Sequence, residues 1–302
     1  MSVLSKIRNV TQRGLFTVRN VWSELMGDAY VINSYAWQNF DGTIERSNWG
    51  DDINWYFLKE IIDGEIISFD HALLARHFNR PNYVVIGSTI DLRADERSII
   101  WGAGIIDGSV TKLPKFKGIR AVRGPKTREK LLSLGIACPE IYGDPALLLP
   151  LHYIPDIEKT HRIGIIPHFH DLERVRRKIE YSKNIKLIDI RHYGEWTSFI
   201  DDILSCEMIA SSSLHGLIVS FAYGIPNAWV EFPEGALRDR FKYDDFFASI
   251  GVEDSPIVLS MDDWAGAIES AIHQKPKGRI DLKPLIDSSP FRLKNLNIDI
   301  QI

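Results

Sequence analysis

The sequence is poor in cysteine, has no long apolar run and carries no excess of positive charge. Cys138 and Cys206 are its only cysteines. They lie far apart and read as small buried groups of a reducing compartment, which excludes a disulfide framework. No stretch reaches about 18 apolar residues, so no helix is expected to span a bilayer. The net charge of −4 excludes the broad basic field of a general nucleic-acid binder, and no nucleic-acid partner is expected. Internal repeats and low-complexity segments are missing as well. So is the uninterrupted apolar stretch with a small-residue cleavage site that a secretory leader needs.

What is present is an ordinary globular composition, 45% hydrophobic and 25% charged, over 302 residues, a length that suits two domains. The N-terminus departs from that average. Lys6, Arg8, Arg13 and Arg19 precede the first acid, Glu24, and apolar residues from Val3 to Trp22 are interspersed. Such a segment suits two arrangements, a helix on an anionic membrane surface or one packed on the protein with solvated arginines. The expected location is cytoplasmic, or peripheral at the inner face of a membrane through residues 1–23.

Short β-branched runs alternate with amphipathic stretches, the pattern of parallel strands joined by helices. Strands are expected at Ala29–Ser34, Tyr83–Gly87, Ser98–Trp101 and Gly118–Val122, with helices at Ile53–Ile62 and Lys126–Leu134. The pattern lapses over Pro145–Pro155. It resumes with strands at Arg162–Ile166, Lys186–Ile190, Met208–Ala210 and Ala228–Phe232. Helices are expected at Asp171–Tyr181, Glu195–Ser205, Leu214–Tyr223, Asp239–Ile250 and Asp262–His273. The fold class is therefore α/β, with two Rossmann-like domains, 1–155 and 156–302, facing across a cleft. Ligands of such sheets gather beyond the carboxyl ends of the strands.

The loops there carry the candidate chemistry. Asn48-Trp49-Gly50-Asp51-Asp52 opens a helix, where one aspartate caps and a second is free to act as a base beside a glycine. Gly102-Ala103-Gly104 is a small-residue turn that admits a phosphate or sugar, a weak signal on its own. Arg123, at a strand end, suits bidentate binding of phosphate or carboxylate; the alternative is an ion pair with a protein carboxylate. Gly143-Asp144-Pro145 reads as a turn in which Asp144 bonds its own backbone. His168 and His170 beside Asp171 lack a third ligand at a recognisable spacing, so no metal is assigned; Asp171 is expected to cap the helix. In Ser211-Ser212-Ser213-Leu214-His215-Gly216, an imidazole stands at a helix start behind three hydroxyls. That is either an anion pocket with a tunable proton donor or a core histidine bonded to a carbonyl.

The ordered set Asn48-Trp49-Gly50-Asp51-Asp52, Val122-Arg123-Gly124, Gly143-Asp144-Pro145-Ala146-Leu147-Leu148 and Ser212-Ser213-Leu214-His215-Gly216 resembles the polysaccharide pyruvyl transferases. So does the Ala222-Tyr223-Gly224-Ile225-Pro226 that follows. The resemblance implies two Rossmann-like domains arranged as in the GT-B glycosyltransferases. It also implies transfer of a pyruvyl group from phosphoenolpyruvate to two hydroxyls of a sugar, giving a cyclic ketal. The product would be a bacterial-type exopolysaccharide, capsule or cell-wall glycan precursor. No cofactor is expected beyond phosphoenolpyruvate as co-substrate; the other partner is a sugar acceptor, lipid-linked or not.

By the same resemblance His215 is donor-site acid or phosphate stabiliser and Arg123 the first-domain clamp. Ser213 stands where many members have arginine, and His168 or Arg191 is expected to compensate. Ser212 and Gly216 complete the donor set. Asp51 is expected to act as acceptor base, with Asn48, Trp49, Gly50 and Asp52 binding the acceptor. Trp37, Trp49, Trp55 and Trp101, in or near first-domain loops, are candidate sugar-stacking faces, and core packing explains most of them equally well. The competing readings are a nucleotide-sugar glycosyltransferase of the same architecture, using Glu231 or Glu234 on a ribose, and a non-catalytic glycan-binding protein.

Overall fold

Runs of Ile, Val and aromatic residues supply two parallel five-stranded sheets in the computed structural model, which describes residues 3–27, 29–179, 184–232, 240–259, 264–274 and 277–297. The long helix α1 (Val3–Met26) precedes β1 (Ala29–Ile32) and a short antiparallel hairpin, β2 (Trp37–Gln38) and β3 (Ile44–Glu45). Next come α2 (Trp49–Ile61), β4 (Glu65–Ser68), α3 (Leu73–His77), β5 (Asn82–Val84), α4 (Ile90–Arg93), β6 (Ser98–Trp101), β7 (Gly118–Ala121) and α5 (Pro125–Ser133). The first sheet has the order β4-β1-β5-β6-β7.

A 3-10 turn (Pro145–Leu148) and α6 (Leu149–His152) lead into the second half. That half comprises β8 (His161–Ile166), α7 (Leu172–Ile179), β9 (Ile185–Leu187), α8 (Trp196–Leu204), β10 (Cys206–Ser211), α9 (Leu214–Ala222), β11 (Asn227–Glu231), α10 (Phe241–Ser249), β12 (Ile257–Val258), α11 (Trp264–Gln274) and α12 (Lys283–Asp287). Its sheet has the order β12-β11-β10-β8-β9. The two parallel sheets with their helices bear out the expected α/β architecture of two Rossmann-like domains.

Most expected elements form within a residue or two of their sequence bounds. β9 is shorter than expected because Ile190 turns its carbonyl to Trp49 N of the first half (2.8 Å). β2, β3, β4 and β12 escape the sequence reading; three of these have only two residues, too few to show alternation. Tyr181, Asp239 and Asp262 lie outside the described residues.

Helix α2 shows how local sequence sets the architecture. Asn48 caps it by accepting from Gly50 N (3.2 Å); acids fill the first turn and Lys59 the last, as the helix dipole favours. Trp49, Ile53, Phe57 and Ile61 recur at four-residue spacing and are buried. Helix α9, Leu-His-Gly-Leu-Ile-Val-Ser-Phe-Ala, is apolar nearly all round and is correspondingly enclosed, packing on β10, β11 and the Pro145–Leu148 turn.

One apolar cluster runs through both halves, from Ile32 and Trp49 to Leu217 and Trp229. The C-terminal tail then crosses back to the first half. Trp101 Nε1 donates to Leu285 O (2.9 Å), Phe291 packs edge-on against Tyr30 and Trp101, and Lys294 N donates to Ile61 O (2.8 Å).

Candidate active site

The loops beyond the carboxyl ends of β1, β5, β7 and β10 converge with the start of α2 and with α10. Their centre is the His215 imidazole in the first turn of α9, which is buried against backbone of the first half. A Cβ built on Gly50 would lie 2.0 Å from His215 Nδ1, and one on Gly87 3.5 Å from Cε1. Gly50 must therefore lack a side chain for the ring to reach this position. Gly87 has φ +98°, in the left-handed region that glycine tolerates, and Asp144 holds its N–H at 3.2 Å. Asp144 also caps its own turn, accepting from Ala146 N at 3.0 Å, as expected. Burial raises the Asp144 carboxyl to about 6.

The His215 Nε2 is buried with no hydrogen-bond partner. Leaving such a nitrogen unsatisfied costs about 1–3 kcal/mol, a cost that a bound ligand would relieve. Burial, then Lys242 and Arg123, push the imidazole down to about 3, so it is neutral near pH 7. An imidazolium acid is thus not pre-formed in the ligand-free protein.

Asp51 is partly exposed on the first turn of α2. Burial and the neighbouring Asp52 raise it to about 6, opposed by Lys242 and the Asn48 side chain. That value suits a general base near neutral pH. Asp52 plays a different part. Fully buried, its Oδ2 accepts from Ser47 N (3.0 Å), Asn48 N (3.3 Å) and Tyr193 OH of the second half (2.8 Å). It ties the halves together and has no face for an acceptor.

Trp49 is also fully buried. Its Nε1 donates to Trp196 O (2.7 Å) and its ring stacks on Phe199 at 4.5 Å, so it fastens the interface and cannot stack on a sugar. Asn48 Oδ1 is occupied by the cap. Trp55 and Trp101 are buried too; of the four tryptophans named above, Trp37 alone is exposed. Tyr35, also exposed, lies under the Arg93 guanidinium and within the field of Asp51.

Arg123 meets a protein carboxylate rather than open space. Its guanidinium is fully buried; Nε donates to Asp245 on α10 (2.9 Å), Nη2 to Ile105 O (3.0 Å) and Nη1 to Ser88 Oγ. Asp245 also accepts from Thr127 N (2.8 Å) and Thr127 Oγ1 (2.7 Å). The expected clamp is committed to a strut between the halves. It reaches the site through its field on His215 and through Ser88, next to Gly87.

The serines are committed likewise. Ser211 Oγ donates to Ser213 O (2.8 Å), while Ser212 Oγ receives His168 N (2.8 Å) and donates to Asp171 Oδ2 (3.4 Å). Ser213 occupies the cap position of α9 without a side-chain cap bond. Gly216 faces inward, where a Cβ would meet Ser211 Oγ at 2.3 Å. Ser212 and Gly216 therefore build the turn and do not face a ligand.

His168 and Arg191 both lie against Phe169. The His168 ring packs on Phe169 at 4.3 Å, and the Arg191 guanidinium lies over Phe169 at 5.8 Å with a buried, unpartnered Nε. Among the described residues no cluster of three or more His, Cys, Asp or Glu could hold a metal ion. Glu231 is half-buried at the end of β11, and Glu234 lies outside the described residues.

Lys242 escaped the sequence reading. It is half-buried on α10, above the Tyr243 ring, and its charge acts on both His215 and Asp51. Nothing local in Arg-Phe-Lys-Tyr-Asp marks it; the packing of α10 on α5 brings it in.

These features define a two-domain α/β protein with a buried, unpartnered histidine where its halves meet. The chain belongs to the polysaccharide pyruvyl transferase family, whose pattern matches residues 32–232. It is 29% identical over 216 residues to the uncharacterized protein L143 of Acanthamoeba polyphaga mimivirus, covering 70% of this chain and 73% of that one. It is also 26% identical over 233 residues to the succinoglycan biosynthesis protein ExoV of Rhizobium meliloti (strain 1021), covering 74% and 67%. No solved structure matches the chain. Membership supports a pyruvyl-transfer role in polysaccharide biosynthesis.

Proposed function

We propose that the chain transfers the pyruvyl group of phosphoenolpyruvate to two hydroxyls of a sugar in a polysaccharide precursor, forming a cyclic ketal. The observation that carries this reading is the buried, unpartnered His215 Nε2, set between the cationic field of Lys242 and Arg123 and the Gly50-Asp51 turn. A small trianion suits such a site, because the field of those cations favours its charge and it offers an acceptor for an imidazole N–H.

In this reading the donor methylene carbon gains a proton and the donor's central carbon is attacked by the first hydroxyl. Asp51 removes that hydroxyl's proton. The C–O bond to phosphate then breaks and the second hydroxyl closes the ring. Of the two hydroxyl protons, one balances the proton gained by carbon and the other leaves with phosphate. His215 and Lys242 steady the phosphate as charge builds on it, and Arg191 with His168 takes the part of the arginine absent at Ser213. Arg123 acts as a positioning residue.

Incubation with phosphoenolpyruvate and glycan acceptors is expected to release phosphate and to give a ketal methyl signal in the product's NMR spectrum. Absence of phosphate release across acceptors, with turnover of a nucleotide sugar instead, would replace this reading with the glycosyltransferase one.

A further inference from the structure

Helix α1 has two faces. One is packed: Asn20 and Glu24 are buried, Phe16 meets Phe40 and His71 edge-on, and the Glu24 carboxylate accepts from Leu74 N (3.3 Å) and Ala75 N (2.6 Å) at the start of α3. The other is open. Leu15, Val18, Trp22, Leu25 and Met26 recur at three- and four-residue spacing along one side, and each is more than half exposed. A contiguous stripe of this kind, including a tryptophan, is uncommon on a surface that meets only water.

The charge of α1 itself has one dominant sign. Lys6, Arg8, Arg13 and Arg19 belong to the same helix, and its single acid, Glu24, is turned inward. Arg13 lies over Phe40, Arg19 pairs with Glu65, and Arg80 donates to the Glu24 carbonyl at the C-terminal end of the stripe. A second copy of this helix would bring like charges together. An anionic lipid surface matches both the apolar stripe and its basic flanks, and tryptophan favours the depth of the headgroups.

We infer that α1 docks the protein on an anionic membrane surface, lying in the interface plane with the Leu15–Met26 stripe inserted. The inference does not rest on the reaction proposed above. No helix among the described residues is long and apolar enough to cross a membrane, so the contact is peripheral. Binding is held jointly by apolar insertion and by basic residues, each strengthening attachment about fivefold near an anionic surface.

The test is co-sedimentation of the full chain with vesicles of phosphatidylcholine alone or rich in phosphatidylglycerol. Wild type is expected to partition at least about tenfold more strongly to the anionic vesicles, less so as salt rises. Val18→Glu with Trp22→Glu is expected to remove at least about tenfold of that binding while leaving thermal melting unchanged, since both side chains are solvent-exposed. An environment-sensitive probe on Val18→Cys reports insertion directly, because Cys138 and Cys206 are buried. Its emission should shift to the blue on anionic vesicles. Equal or absent binding to the two vesicle types overturns the inference. So does self-association that the same substitutions disperse, for then the stripe serves a second copy of the chain.

Discussion

Replacing Gly50 by alanine separates the geometry of this site from the stability of the fold. The added Cβ would sit 2.0 Å from His215 Nδ1, whereas ordinary contact begins near 3.4 Å, so the ring must retreat by about 1.4 Å. Overpacking of this kind costs about 1–3 kcal/mol. Alanine in a helix returns up to about 1 kcal/mol relative to glycine. The net cost in stability is therefore about 0–3 kcal/mol, at most on the order of 10 °C in Tm. Catalysis has no such compensation, since displacing a reacting group by about an ångström costs on the order of 100-fold in rate.

The assay is phosphate release from phosphoenolpyruvate with a glycan acceptor, run beside differential scanning calorimetry. Gly50→Ala should lose on the order of 100-fold in kcat while still melting cooperatively. Adding it to His215→Ala should cost little more, because both changes disable one group. Turnover of Gly50→Ala within about threefold of wild type would refute the claim that this contact positions the imidazole.

Two further outcomes follow from the charges. Because the Asp51 carboxyl is raised to about 6, the base form appears only as pH climbs through that value, and kcat/KM should show an acid limb there that Asp51→Asn abolishes. The same shift means that the folded state holds this proton more tightly, so Asp51 disfavours folding increasingly as pH rises from 3.8 to about 6. Lys242→Met removes an influence that lowers Asp51, and the limb should move to higher pH; an unmoved limb would sever Lys242 from the site. Separately, Arg123→Met should cost about 3–5 kcal/mol by stranding the buried Asp245, on the order of 10 °C in Tm. Arg123→Met with Asp245→Asn should recover part of it, since the amide removes the stranded charge and keeps an oxygen for Thr127 N, and a single variant that melts like wild type would contradict the strut.

What was legible in the sequence was local. The cap at Asn48, the acid pair behind Gly50, the Asp144 turn and the histidine at a helix start are each short motifs whose geometry neighbouring residues dictate. What was illegible is set by distant partners. Arg123 and Asp245 stand 122 positions apart, and nothing near Arg123 says whether its anion will be substrate or protein. Lys242 arrives by the packing of α10, and Trp49 becomes a fastener because Trp196 and Phe199 happen to face it. Burial and pairing, which a single sequence does not display, divided the expected ligands into those left without a protein partner and those that hold the halves together.

The returning tail has a bearing on biogenesis. Phe291 completes an aromatic cluster whose other members, Tyr30, Tyr83 and Trp101, are made much earlier. During synthesis the N-terminal sheet must wait, with that apolar patch uncovered, until Phe291 has left the ribosome. Premature termination would therefore injure the first half of the molecule as well as the last.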